Sequence, residues 1–148
     1  MIEIEVANRQ NCVAVPTRRL RAAVSKLLRE EGHSHAEISL AIVDDGVIRT
    51  LNRRHLNHNR PTDVLSFPLE DGPGKLVGEV VVNGQRAADV AGQFGWKPAD
   101  ELLLYIVHGV LHLCGYDDHS ESASRRMRIR EKEVLARWGA KEKGKRRK

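Results

Sequence analysis

The chain is poor in the residues that mark secreted, membrane-spanning or ring-stacking proteins. It holds two cysteines in 148 residues, Cys12 and Cys114. Two thiols do not make a disulfide framework, so a reducing cytoplasm is the expected compartment. Uninterrupted apolar runs reach only a few residues, which excludes a membrane-spanning helix. No apolar stretch follows a basic start, so no secretory signal is expected. Aromatic residues amount to 4%, too few for an extended stacking platform. What remains is a soluble composition, 41% hydrophobic and 30% charged, at a length that suits one domain with its own core.

Charge is distributed unevenly. Residues 125–148 carry 12 Lys and Arg against 3 Glu, whereas residues 1–124 carry 13 against 17 Asp and Glu. The body is mildly acidic and the C-terminal stretch supplies the basicity. A basic terminal arm fits a polyanionic partner such as nucleic acid, and fits equally a solvated tail that aids solubility.

Ile2, Ile4 and Val6 alternate with polar residues, the period of a half-buried strand. Leu20, Ala23, Val24, Leu27 and Leu28 recur at helical spacing after Pro16, with Thr17 as the expected cap and Gly32 as the stop. Ile38 to Val43 reads as a second strand. Asp45 then caps a helix to about Arg54, with Val47, Ile48 and Leu51 expected inside. Val64 to Pro68 and Val77 to Val82 read as strands on either side of the Asp71-Gly72-Pro73-Gly74 turn, hence as a hairpin or adjacent pair. Helices follow over Gln85 to Phe94, Pro98 to Leu113 and Ser120 to Trp138, the last with Ile129 and Val134 expected inward. These readings give an α+β fold: a small, mixed four-stranded sheet packed with about five helices, as one domain over residues 1–138. Residues 139–148 form a basic tail, expected to be disordered.

The most informative stretch is His108-Gly-Val-Leu-His112-Leu-Cys-Gly115-Tyr-Asp-Asp-His119. On a helix, His108 and His112 share one face one turn apart, so two imidazoles can reach one metal ion. Gly115 suits the helix end, and His119 follows after the turn. Three neutral histidines leave a fourth tetrahedral position for water, the arrangement of a catalytic zinc site. Zinc proteases with two histidines at this spacing place a glutamate base next to the first. Here that position is Gly109, which argues against peptidase chemistry and leaves the general base unassigned. Glu101 lies on the same helix face and could support His108, although complementing the helix dipole is its simpler role. Cys114 lies off the histidine face and is expected to pack. His33, His35, His55 and His58 are expected to be exposed.

His108-Gly-Val-Leu-His112-Leu-x-Gly115-Tyr116-Asp117 resembles the signature of the YbeY-type endoribonucleases, bacterial rRNA maturation factors. Pro61-Thr-Asp-Val-Leu-Ser-Phe-Pro68 resembles a second block of that family, and Gly78 to Val82 a third. The resemblance spans about residues 37–136. It implies a small α+β fold with one zinc ion held by three histidines. It also implies action in 16S rRNA 3′-end processing, ribosome quality control and late small-subunit maturation. The partners would be the 16S rRNA precursor and the small ribosomal subunit. Two departures stand out. The family usually has five residues between its second and third histidines, whereas here there are six, so Asp118 occupies the usual third position. His119 is the expected ligand and Asp118 the alternative, because a short loop can absorb one residue and a neutral ligand keeps the metal electrophilic. The arginine that many members carry before the Pro61 block falls on Leu56. Arg60 and Arg53 are the candidates to contact RNA in its place, with Arg54 beside them.

Three functions fit. The first is a zinc-dependent, single-strand endoribonuclease. The second is an RNA-binding ribosome-assembly factor with weak or no cleavage, favoured by the absent base and arginine. The third is a metal hydrolase with another substrate. Scarce aromatics point to backbone or shape contacts with RNA rather than base stacking.

Overall fold

The structure, a computed structural model, describes residues 1–56, 62–69 and 74–140. Four strands and five helices follow one another as β1 (Ile2–Asn8), α1 (Thr17–Glu30), β2 (Ala36–Val43), α2 (Asp45–Leu56), β3 (Val64–Pro68), β4 (Leu76–Asn83), α3 (Gly84–Phe94), α4 (Pro98–Leu113) and α5 (Glu121–Arg137). The sheet order is β1-β2-β4-β3. β1 runs parallel to β2 and β2 parallel to β4, with Ile38 opposite Gly78 and Leu40 opposite Val80. β3 is an antiparallel edge, Ser66 opposite Val80. The expected mixed sheet and α+β class are therefore present. No helix among the described residues is long and apolar enough to cross a membrane.

Strand alternation divides the core. Ile38, Leu40, Ile42, Val80 and Val82 face one side, where they pack with α1, α3, α4 and α5. Val43, Leu65 and Val81 face the other side and pack with Ile48 of α2. The long apolar helix α4 is buried along most of its length, with Leu102, Leu103, Ile106, Val110 and Leu111 fully enclosed. Its position depends on two glycines. A β-carbon on Gly78 would lie 2.7 Å from Leu113, and one on Gly109 would lie 2.5 Å from Val80. The helix thus rests almost backbone-on-sheet over β4, and Ser66 donates a hydrogen bond from β3 to the Gly109 carbonyl at 2.9 Å.

The sequence-based boundaries hold to within a residue or two, with instructive exceptions. Pro16, not Thr17, occupies the cap position of α1. Asp44, not Asp45, caps α2 by accepting from the Val47 amide at 3.0 Å. Asp45 instead accepts from the side chain of Asn83. Val47 and Ile129, both expected inside, are exposed. Val47 lies one position before the buried Ile48 of α2, and Ile129 lies midway between the buried Met127 and Glu131 of α5, two positions from each and so on the far side of the helix. Ser120 caps α5 as expected, accepting from the Ala123 amide. The tail expected over 139–148 begins later than that, because Ala140 is buried in the core and its N–H donates to the Leu135 carbonyl at 3.0 Å; Lys141–Lys148 lie outside the described residues.

Candidate metal centre

The last two turns of α4, an otherwise apolar helix, carry two half-buried histidines. His108 and His112 lie one turn apart, and their Nε2 atoms face each other at 3.1 Å. Each ring is fixed from behind. His112 Nδ1 lies 3.1 Å from the Tyr116 carbonyl, just past the helix end. A carbonyl can only accept, so this nitrogen carries the proton. His108 Nδ1 lies 3.1 Å from Glu131 Oε2, brought across by α5. A carboxylate likewise accepts, so here too the proton sits on Nδ1. Both Nε2 atoms then present bare lone pairs to the same point. Two such lone pairs at this distance repel unless a proton or a metal ion lies between them: a proton makes the contact an N–H···N hydrogen bond, and a metal ion makes the rings the donor pair of a zinc site.

The surrounding charges separate the two rings. Burial works against the charged form of His108, but the Glu131 hydrogen bond and charge, with Asp63 and Asp118, outweigh it and raise its pKa. Burial and the neighbouring His108 charge lower that of His112. Asp118 therefore acts on both rings. The pair opens into a cleft of about 420 Å³, whose opposite wall is Thr62 to Ser66. That wall is anchored by Asn83, which is fully buried. Its amide donates to Asp45 and to the Thr62 carbonyl, and its backbone N–H donates to the Asp63 carbonyl. Tyr116 is tied to Glu31, whose partner Arg130 also reaches Glu30 and Glu133. This places the turn after α4 between two fixed helices.

A model of the family described as endoribonuclease YbeY matches residues 5–139. The chain belongs to this family. An endoribonuclease YbeY of Pelotomaculum thermopropionicum is 43% identical over 143 residues, covering 89% of this chain and 94% of that relative. Another of the same name, from Carboxydothermus hydrogenoformans, is 40% identical over 139 residues, covering 91% and 96%. A solution structure of a protein from Thermotoga maritima superposes with a TM-score of 0.63 at 26% identity, over 93% of this chain and 89% of that one.

The residues singled out in the sequence are gathered unevenly. His108 and His112 come together. His119 does not join them: its side chain is 86% exposed and its nearest charged neighbour is Asp117, at 3.9 Å. Its backbone N–H is also held by Asp117, at 3.0 Å. Glu101 does not support His108. It is buried beside Trp96, whose indole donates to it at 2.8 Å. Cys114 packs against the core, and burial, with the Glu31 charge, pushes its thiol pKa up to about 12. Arg53 and Arg54 are exposed on the last turn of α2. Beside them, His55 stacks edge-on against Phe67 of β3. Arg60 and His58 lie outside the described residues. Glu131 was missed, although a carboxylate within the Met127–Val134 stripe of α5 is a visible signal. Asp63 was also missed as a contributor of charge to the histidines.

Proposed function

We propose that this chain is an endoribonuclease that cuts single-stranded RNA with one zinc ion, and that it matures the 3′ end of 16S rRNA on the small ribosomal subunit in the cytoplasm. Its family is one of endoribonucleases, hydrolases acting on RNA. The observation that carries the zinc reading is the pair of Nε2 atoms 3.1 Å apart, each on a ring whose Nδ1 faces an accepting oxygen. His108 and His112 would hold the ion. Among the described residues no third His, Cys, Asp or Glu is gathered with the pair, so a third ligand would have to come from the turn after α4, where the Asp118 charge reaches both rings and the His119 side chain faces solvent. Two histidines and a carboxylate are an ordinary catalytic zinc set.

The chemistry zinc supplies in such a set is Lewis acidity toward a phosphodiester and its attacking water. The chain's own contribution is placement. Glu131 and the Tyr116 carbonyl hold the imidazoles in orientation. Asn83 fixes the Thr62-Asp63 wall across the cleft, and Ser66 ties that wall to α4. The cleft is walled by an edge strand, and among the described residues that line it there is no Phe, Tyr or Trp ring, which suits a strand gripped by its backbone.

Gly109 favours a second reading. Its backbone lies on Val80, so no acidic side chain can stand there as a base. An RNA-binding assembly factor with weak cleavage fits that feature. One experiment separates the two: cleavage of a single-stranded 16S 3′-end RNA by wild type and by His112→Ala. Zinc-dependent cutting that the substitution abolishes supports the nuclease. Binding without cutting supports the assembly factor.

A further inference from the structure

α5 carries a carboxylate in its buried stripe, where an unpaired charge would be strongly unfavourable. Glu131 is 9% exposed, between Met127 at 2% and Val134 at 2%. The basic residues beside it are turned elsewhere. Arg130 is engaged by Glu30, Glu31 and Glu133, and Lys132 is exposed. Among the described residues, the hydrogen-bond partner of the Glu131 carboxylate is His108 Nδ1, at 3.1 Å.

We infer that Glu131 is a positioning residue for the metal site: its carboxylate holds the Nδ1 proton of His108 and thereby aims the Nε2 lone pair at the ion. The inference rests on the zinc reading above and adds a residue from a different helix to it. In water an imidazole prefers its proton on Nε2, the form that cannot bind metal through that atom. A carboxylate behind Nδ1 reverses the preference and makes the ring a stronger donor. The Tyr116 carbonyl does this for His112 from within the same turn. For His108 the task falls to a side chain 23 residues away, so the closing of α5 onto α4 and the readiness of the site for metal are one event.

The test uses full-length wild type, Glu131→Gln, Glu131→Ala and a packing control, Met127→Ala, from the same stripe. Two quantities are read. One is zinc affinity, by competition with a chelator. The other is the tautomer of His108 in metal-free protein, by nitrogen NMR at a pH where both rings are neutral. Glu131→Ala is expected to weaken zinc binding by about 10–100-fold and to move the His108 proton to Nε2. Glu131→Gln, which keeps an accepting oxygen, should fall between Ala and wild type. Met127→Ala should lower the melting temperature yet leave zinc affinity and tautomer unchanged. Unchanged affinity and tautomer in Glu131→Ala would overturn the inference and leave Glu131 as a helix-to-helix tie. Equal losses in Met127→Ala would overturn it too. Wild type that binds no zinc would instead sink the metal reading, and the tautomer measurement would still decide whether Glu131 sets the ring.

Discussion

Gly109 lies directly on Val80: a β-carbon at residue 109 would stand 2.5 Å from Val80 Cγ1 and 3.0 Å from Ser66 Oγ. The contact explains why the position next to the first histidine holds no acid. It also carries the spacing between the histidine helix and the strand that forms the other wall of the cleft. Gly109→Ala should therefore destabilise the fold by overpacking, by about 1–3 kcal/mol, despite alanine's better helix propensity. Thermal or urea unfolding checks this. Unchanged or raised stability would show that β4 yields easily and that the close approach is incidental.

The third zinc ligand can be ranked by substitution. Asp118→Ala should lower zinc affinity by orders of magnitude, whereas His119→Ala should have little effect, since that ring projects into solvent beside Asp117. Chelator competition on the two variants gives the order. The opposite ranking would mean that the loop closes over the metal and brings His119 in, as the histidine-rich sequence first suggested.

Arg130 links α5 to the end of α1, with its Nη2 3.0 Å from Glu30 and its Nε 2.9 Å from Glu31. The Arg130 hydrogen bond, opposed by partial burial and helped by Arg137, holds the Glu30 carboxyl below its ordinary pKa. A carboxyl that binds its proton less tightly in the folded state contributes stability above its unfolded pKa and loses it as pH falls through the folded value. The melting-temperature gap between wild type and Arg130→Met should therefore be widest near neutral pH and shrink below about pH 4. A gap that stays constant down to pH 2 would show that Arg130 acts by packing its stem rather than by charge.

How much of this was readable in the chain depends on how local the cause is. The bounds of α4 follow from Pro98 at its start and the apolar run behind it, and the structure returns Pro98–Leu113. The pairing of β3 with β4 follows from the turn cluster between them. The histidine pair is a spacing of four and needs nothing but a helix. Glu131 is different, because its role exists only once α5 has packed across α4. The same holds for Asn83, whose partners Asp45 and Thr62 are 38 and 21 residues away. The placement of His119 depends on how one turn spends its extra residue, which side-chain type alone does not fix. Val47 and Ile129 were assigned inward because they are apolar. Each helix has one narrow contact stripe, and an apolar residue beside it stays in water.

The basic tail is the last element whose role can be measured. Lys141, Lys143, Lys145, Arg146, Arg147 and Lys148 face a single Glu142 in the final eight residues. Removing this segment should leave the fold intact, since the core built by the described residues, up to Ala140, is complete without it. α5 must be kept, because Met127, Glu131 and Val134 are part of the interior. If the tail grips rRNA, truncation should weaken RNA binding and flatten its salt dependence. Each lost phosphate contact reduces the slope of log K against log salt by about 0.7 for single strands. Zinc content should not change, since the truncation spares His108, His112, Asp118 and Glu131. A salt titration of RNA binding by full-length and truncated protein, with melting temperatures measured alongside, gives the answer. Equal slopes would make the tail a solubility device, and the acidic body would then have to hold RNA through the cleft and the exposed arginines of α2 and α5 alone.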